Sequence, residues 1–149
     1  MLLSWIVATL HLLALGVGLG AVWLRAVSLR RGARGMDLAR VFAADSAWGL
    51  AALLWITTGL ARAFAGLEKG TGFYLSQPAF HAKMGLLLFV LILEVWPMVT
   101  LIRWRVRWKR GEPIDVARAP ALATISFVQA ALIVLMVFAA TALARGLWF

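Results

Sequence analysis

Apolar residues run almost unbroken through four stretches of this chain, at about residues 2–24, 46–64, 79–102 and 120–143. Each has the length of roughly 20 residues that a helix needs to cross the hydrocarbon core of a bilayer. Between them, Gly32 and Gly35, the run GLEKGTGFYL and a basic segment over 103–118 interrupt the pattern. The pattern predicts an all-α integral membrane four-helix bundle over 1–149, a single transmembrane domain. Its short connections predict up-down-up-down order. Asp37 is placed to cap the second helix and Pro120 to start the fourth. Pro97 should kink the third. Gly16 and Gly20 form a GxxxG pair on span one, a spacing that lets helices approach closely. Trp48, Trp55 and Arg62 recur every seven residues on span two, with Gly49, Ala52, Ile56, Gly59 and Ala63 beside them. That stripe reads as a packing seam. Phe73 and Tyr74 read as interfacial anchors, as do Trp104 and Trp108.

Composition moves the core into the bilayer. The chain is 64% hydrophobic and 14% charged, against roughly 25% charged in a soluble domain. Its net charge of +9 would suggest nucleic acid in a soluble protein. Here eleven of the fifteen basic residues fall in the two connections after spans one and three. That is the positive-inside pattern, which puts both basic loops in the cytoplasm and both termini outside. Nucleic acid is therefore not an expected partner. With no cysteine there is no disulfide, thiolate metal site or cysteine nucleophile. The first span lacks a basic leader and reads as a retained helix, not a cleaved signal peptide. No GxSxG, HExxH, phosphate-binding loop or dinucleotide glycine pattern is present.

Candidate chemistry lies in the ionisable residues inside the spans, because each charge in lipid costs roughly 2.5–3.5 kcal/mol on insertion scales. His11 falls near the midplane of span one. Three roles are open to it: hydrogen bonding across helices, ligation of haem iron, or proton handling. His81 lies about one turn inside the outer interface, at a depth that does not favour sharing one iron with His11. Arg62 and Lys83 share the outer half on adjacent spans. They either snorkel to headgroups or form a cationic pair for an anionic group such as a porphyrin propionate. Lys83 and Glu94 are eleven residues apart, about three turns, and so lie on one face of span three. Glu94 reads as an ion-pair partner for Arg25, Arg40 or Arg103, or as a proton-relay carboxylate.

The segments HLLALGVGLGAVWLR, DLARVFAADSAWGLAALLWITTG, GLEKGTGFYLSQPAFHAKMG and LEVWPMVTLIRWR resemble a family of uncharacterised bacterial four-helix membrane proteins. More distantly, the plan is similar to HemJ-type protoporphyrinogen oxidases and CopD-like membrane domains. His11 after Trp5, Arg40-Val41-Phe42, His81-Ala82-Lys83 and Glu112-Pro113 carry that likeness. It implies b-type haem bound through His11, with Lys83 and Arg40 near the tetrapyrrole, in a bacterial cytoplasmic membrane; Arg62, from the cationic pair above, would join them in holding its carboxylates. It also implies an oxidoreductase in which His81 or Glu94 handles protons. Two departures separate this chain from the HemJ pattern. Glu94-Val95-Trp96 stands where a tyrosine-histidine is expected, and Arg40-Val41-Phe42 replaces arginine-leucine-tyrosine. The competing expectation is a cofactor-free structural or accessory subunit, packed as a homodimer or in a larger membrane complex. A small transporter is a third. A copper handler fits poorly, with no cysteine and five scattered methionines.

Overall fold

The computed structural model describes residues 1–32, 35–65 and 71–146. Four long helices, α1 (Leu2–Arg30), α2 (Leu38–Phe64), α4 (Pro78–Lys109) and α5 (Ala119–Arg145), are each long and apolar enough to cross a membrane. A five-residue helix, α3 (Thr71–Leu75), precedes α4, and a 3₁₀ turn at Val116–Arg118 precedes α5. No strand occurs among the described residues.

The helices outrun their apolar stretches at the end that carries the basic connections. α1 continues to Arg30, and α2 begins at Leu38, where the Asp37 cap predicts it, eight residues before its apolar stretch. Long basic side chains let this happen, since their stems lie along apolar surface while the charge reaches water. Asp37 caps α2 as expected, accepting from the Arg40 backbone N–H at 3.2 Å. Pro120 lies in the first turn of α5. Pro97 is buried inside α4 and does not end it. α1 and α4 are followed by Gly32 and Gly111, both at positive φ, where the backbone turns into its connection.

The bundle shows apolar side chains outward and keeps polar ones within. Leu13, Val17, Leu50, Leu53, Leu88, Ile92, Leu135 and Phe138 are all exposed, as lipid-facing positions of a membrane bundle would be. Inside, two apolar layers are stacked along the axis. One contains Val22, Trp48, Trp55, Val90, Ile133 and Met136. The other contains Leu29, Val41, Phe42, Leu101, Trp104 and Leu122. In neighbour order the helices run α2, α1, α5, α4, while α2 and α4 barely touch.

The GxxxG pair does not pack this bundle. A Cβ at Gly16 or Gly20 would meet nothing, because both face outward. Close approach occurs instead at Gly18, whose missing Cβ makes room for Trp48 and Ala51 at 3.4 Å, and at Gly59 against His11.

The helix directions put both termini at one end of the bundle and both basic connections at the other. Reporter fusions at Gly32 and Gly111 should read as cytoplasmic. One at Gly70, which lies outside the described residues, should read as external. A cytoplasmic signal from Gly70 would reverse the orientation.

Candidate functional site

Between the two apolar layers lies a polar one that draws a side chain from every long helix. Arg25 on α1 has no exposed surface. Its guanidinium carries five N–H donors, and all five are used. Nη1 donates to Asp45 at 2.9 Å and to Glu94 at 2.8 Å. Nη2 donates to Glu94 and to Gln129 Oε1, each at 2.8 Å. Nε donates to Ser126 at 3.1 Å. Gln129 returns its amide to Glu94 at 2.8 Å and to the Val90 carbonyl at 3.2 Å. On α4, Arg105 reaches across to α2, donating to Ser46 and to the Phe42 carbonyl at 3.0 Å and to Asp45 at 3.3 Å. Two arginines thus meet two carboxylates, and the layer is neutral. Its centre is a bidentate Arg25–Glu94 clamp with Gln129 as a further donor to the carboxylate, the kind of geometry that lets a buried ion pair be tolerated. Arg105 Nε is the one guanidinium N–H of the layer that is buried without a partner among the described residues.

Toward the terminal end the bundle opens around a cavity of about 420 Å³, within the usual range of roughly 300–1,000 Å³ for ligand pockets. Its walls are mostly apolar and aromatic, with Leu15, Trp55, Ile56, Phe80, Leu87 and Met136 among them. Among the described residues three basic side chains line it: His11 from α1, Arg62 from α2 and Lys83 from α4.

His11 is held tightly. It is 6% exposed and stacks on Trp55, with ring centroids 5.7 Å apart and planes inclined by 26°. Its Nδ1 lies 3.0 Å from the Trp55 carbonyl oxygen and 3.0 Å from the Thr58 hydroxyl. A carbonyl can only accept, so Nδ1 carries the proton. The Thr58 hydroxyl has its own acceptor, the Leu54 carbonyl at 2.6 Å. In the neutral ring Nε2 therefore holds the lone pair. Gly59 makes the arrangement possible, because a Cβ there would lie 3.1 Å from the His11 Cε1.

The structure thus brings together three of the residues singled out in the sequence, His11, Arg62 and Lys83, and leaves three elsewhere. Glu94 belongs to the polar layer. It stands seven residues, roughly 10 Å at 1.5 Å per residue, beyond Leu87, the last α4 residue in the cavity wall. Lys83 and Glu94 therefore occupy different levels and do not form one site. His81 is exposed at the start of α4 and bonds through Nδ1 to the Gln77 carbonyl at 3.0 Å. Arg40 is exposed in the first turn of α2, at the opposite end from the cavity.

Gly59 and Thr58, which fix the imidazole, carry no signal that one sequence exposes, since their partner is on another helix. Asp45 reads as a loop residue because it is charged, although it lies inside α2 and pairs with Arg25. Ser126 and Gln129 gave a faint signal. They are two polar residues three apart in an apolar span, and so share a face.

These features define an all-α membrane protein with four helices able to span, a neutral polar layer and a mostly apolar cavity. The family model described as Predicted membrane protein (DUF2214) matches residues 3–147. The chain belongs to that family. No curated protein and no solved structure matches it.

Proposed function

We propose that the cavity holds an amphiphilic tetrapyrrole, with haem b as the form its residues suit. The carrying observation is His11. Its Nδ1–H is engaged by a backbone carbonyl, the arrangement that orients metal-ligating imidazoles and raises their basicity. The lone pair on Nε2 is what iron requires. Among the described residues no group of three or more His, Asp or Glu is clustered to hold a bare metal ion. A single imidazole suits a metal that arrives with its own macrocycle of nitrogens. Leu15, Trp55, Ile56, Phe80 and Met136 would cover the apolar faces, and Arg62 and Lys83 would meet the propionates. When bound, haem supplies one-electron chemistry.

An oxidoreductase acting on a tetrapyrrole, as the HemJ likeness implies, would rest on this binding. Glu94 and His81 stand apart from the cavity, so any part they take in moving protons is played at a distance from the ligand. Arg40 takes no part in holding it. With the basic loops in the cytoplasm, as the positive-inside rule directs, the cavity belongs to the outer half of a bacterial cytoplasmic membrane. The second reading, a cofactor-free structural subunit, has one observation in its favour: the bonds from His11 to Trp55 and Thr58 also tie α1 to α2.

An absorption spectrum separates the two. Purified protein, as isolated or titrated with haemin, should show a Soret band. His11→Ala should abolish the band while the helical circular dichroism is retained, and His81→Ala should leave most of it. Protein that stays colourless throughout the titration would leave the structural reading. A band that survives His11→Ala would move the ligand to another residue, His81 first.

A further inference from the structure

α2 and α4 form the one seam of the bundle where neighbouring long helices barely touch. At the basic end the seam is tied by Arg105, through Ser46, Asp45 and the Phe42 carbonyl. At the terminal end a ring contact crosses it. Phe64 of α2 meets Phe80 of α4 edge-on, with centroids 6.4 Å apart, and Tyr74 of α3 leans on Phe80 at 5.5 Å. Both phenylalanines line the cavity, and Phe64 is 47% exposed while Phe80 is buried. These two rings therefore close the terminal end of the α2–α4 seam beside the cavity. Ring contacts part by changes of side-chain rotamer, whereas the Arg105 tie would have to break charge-assisted hydrogen bonds.

Arg62 and Lys83 flank the same place. Arg62 lies two residues before Phe64 on α2, and Lys83 three residues after Phe80 on α4, and both line the cavity. We infer that the terminal end of the α2–α4 seam is a lateral portal. Through it, a bilayer-dissolved amphiphilic anion reaches the cavity, passing Phe64 and Phe80 with its charged head drawn between Arg62 and Lys83. A molecule with a large apolar body is concentrated in the membrane rather than in water, so a side door serves it better than an aqueous mouth. This inference rests on the proposed function only for the identity of the natural ligand; the portal itself is tested without haem.

The test uses the full chain reconstituted in phospholipid vesicles, with a diazirine-bearing fatty acid as the amphiphilic anion. After illumination, mass spectrometry locates the label. Ala140, which lines the cavity on α5, should be labelled along with the lipid-facing Leu135 and Phe138 of the same helix. Because the chain has no cysteine, Phe64→Cys/Phe80→Cys can be bridged by a reducible thiol cross-linker. Bridging should remove the label from Ala140 but not from Phe138, and reduction should restore it. Phe64→Ala, at a half-exposed position that can lose its ring without unfolding the bundle, should raise labelling of Ala140. Unchanged Ala140 labelling after bridging, or label confined to Leu135 and Phe138 in every variant, overturns the portal. Label at Ala140 in a protein that never binds haemin would sink the tetrapyrrole reading and keep the portal.

Discussion

Arg25→Met should lower the stability of the bundle by about 3–5 kcal/mol, the range found when one partner of a buried ion pair is removed. The reason is what remains behind. Glu94 would lose both Arg25 bonds and keep Gln129 as its donor, and Asp45 would be left with Arg105. The layer would then carry one uncompensated negative charge inside an apolar bundle. Arg25→Met/Glu94→Met should recover more than half of the loss, because the pair leaves together and neutrality returns. Glu112→Gln is the control. Glu112 faces the exposed Arg110 at 3.8 Å outside the spans, and surface pairs contribute about 0–1 kcal/mol. Thermal midpoints in mild detergent rank the three variants. If Arg25→Met and Glu112→Gln melt alike, the polar layer is not what holds the four helices together.

The second large effect is expected at Gly59. Replacing glycine inside a helix by alanine gains about 1 kcal/mol of helix propensity. The new Cβ would sit 3.1 Å from the His11 Cε1, so the imidazole must give way by a few tenths of an ångström. Gly59→Ala should therefore melt close to wild type and bind haemin more weakly. Gly59→Leu has no such balance. Overpacking costs about 1–3 kcal/mol, and the displaced imidazole loses its bonds to Trp55 and Thr58. Haemin titration of Gly59→Leu should show no Soret band while circular dichroism still reports helix. Binding as tight as wild type would mean that the imidazole's position is irrelevant to the ligand.

The four spans were legible because each is a nearly continuous apolar run, a signal that needs no knowledge of any neighbour. Their ends were legible only where a cap or a proline marks them, as Asp37 and Pro120 do, since a charged residue inside a helix looks the same in a sequence as one in a loop. Arg25 and Asp45 show this. Both read as members of a cytoplasmic connection, yet Arg25 is the most tightly bonded side chain in the core. The level of a residue along the axis is readable from spacing, which places Arg62 and Lys83 together. Which helix stands beside which could not. Sharing a face of one helix suggests one site for Lys83 and Glu94, but they stand at different levels. The expected ion pair of Glu94 with Arg25 is present at 2.8 Å, while Gln129 on a fourth helix joins it without any signal from spacing. Gly59 illustrates the same limit, since its meaning lies wholly in His11, 48 residues away in the chain.

The neighbour order α2, α1, α5, α4 bears on how such a chain enters a membrane. It divides into two antiparallel hairpins, α1 with α2 and α4 with α5, which meet mainly along α1 and α5. Each hairpin contains part of the polar layer and satisfies it only in part. The first holds the Arg25–Asp45 pair, and the second holds Glu94 with Gln129. In a hairpin inserted alone, Arg25 has donors to spare in the first, and Glu94 lacks its cation in the second. Lateral docking of the two halves joins Arg25 to Glu94, and the correct partner is recognised by charge in a solvent where apolar surfaces cannot discriminate.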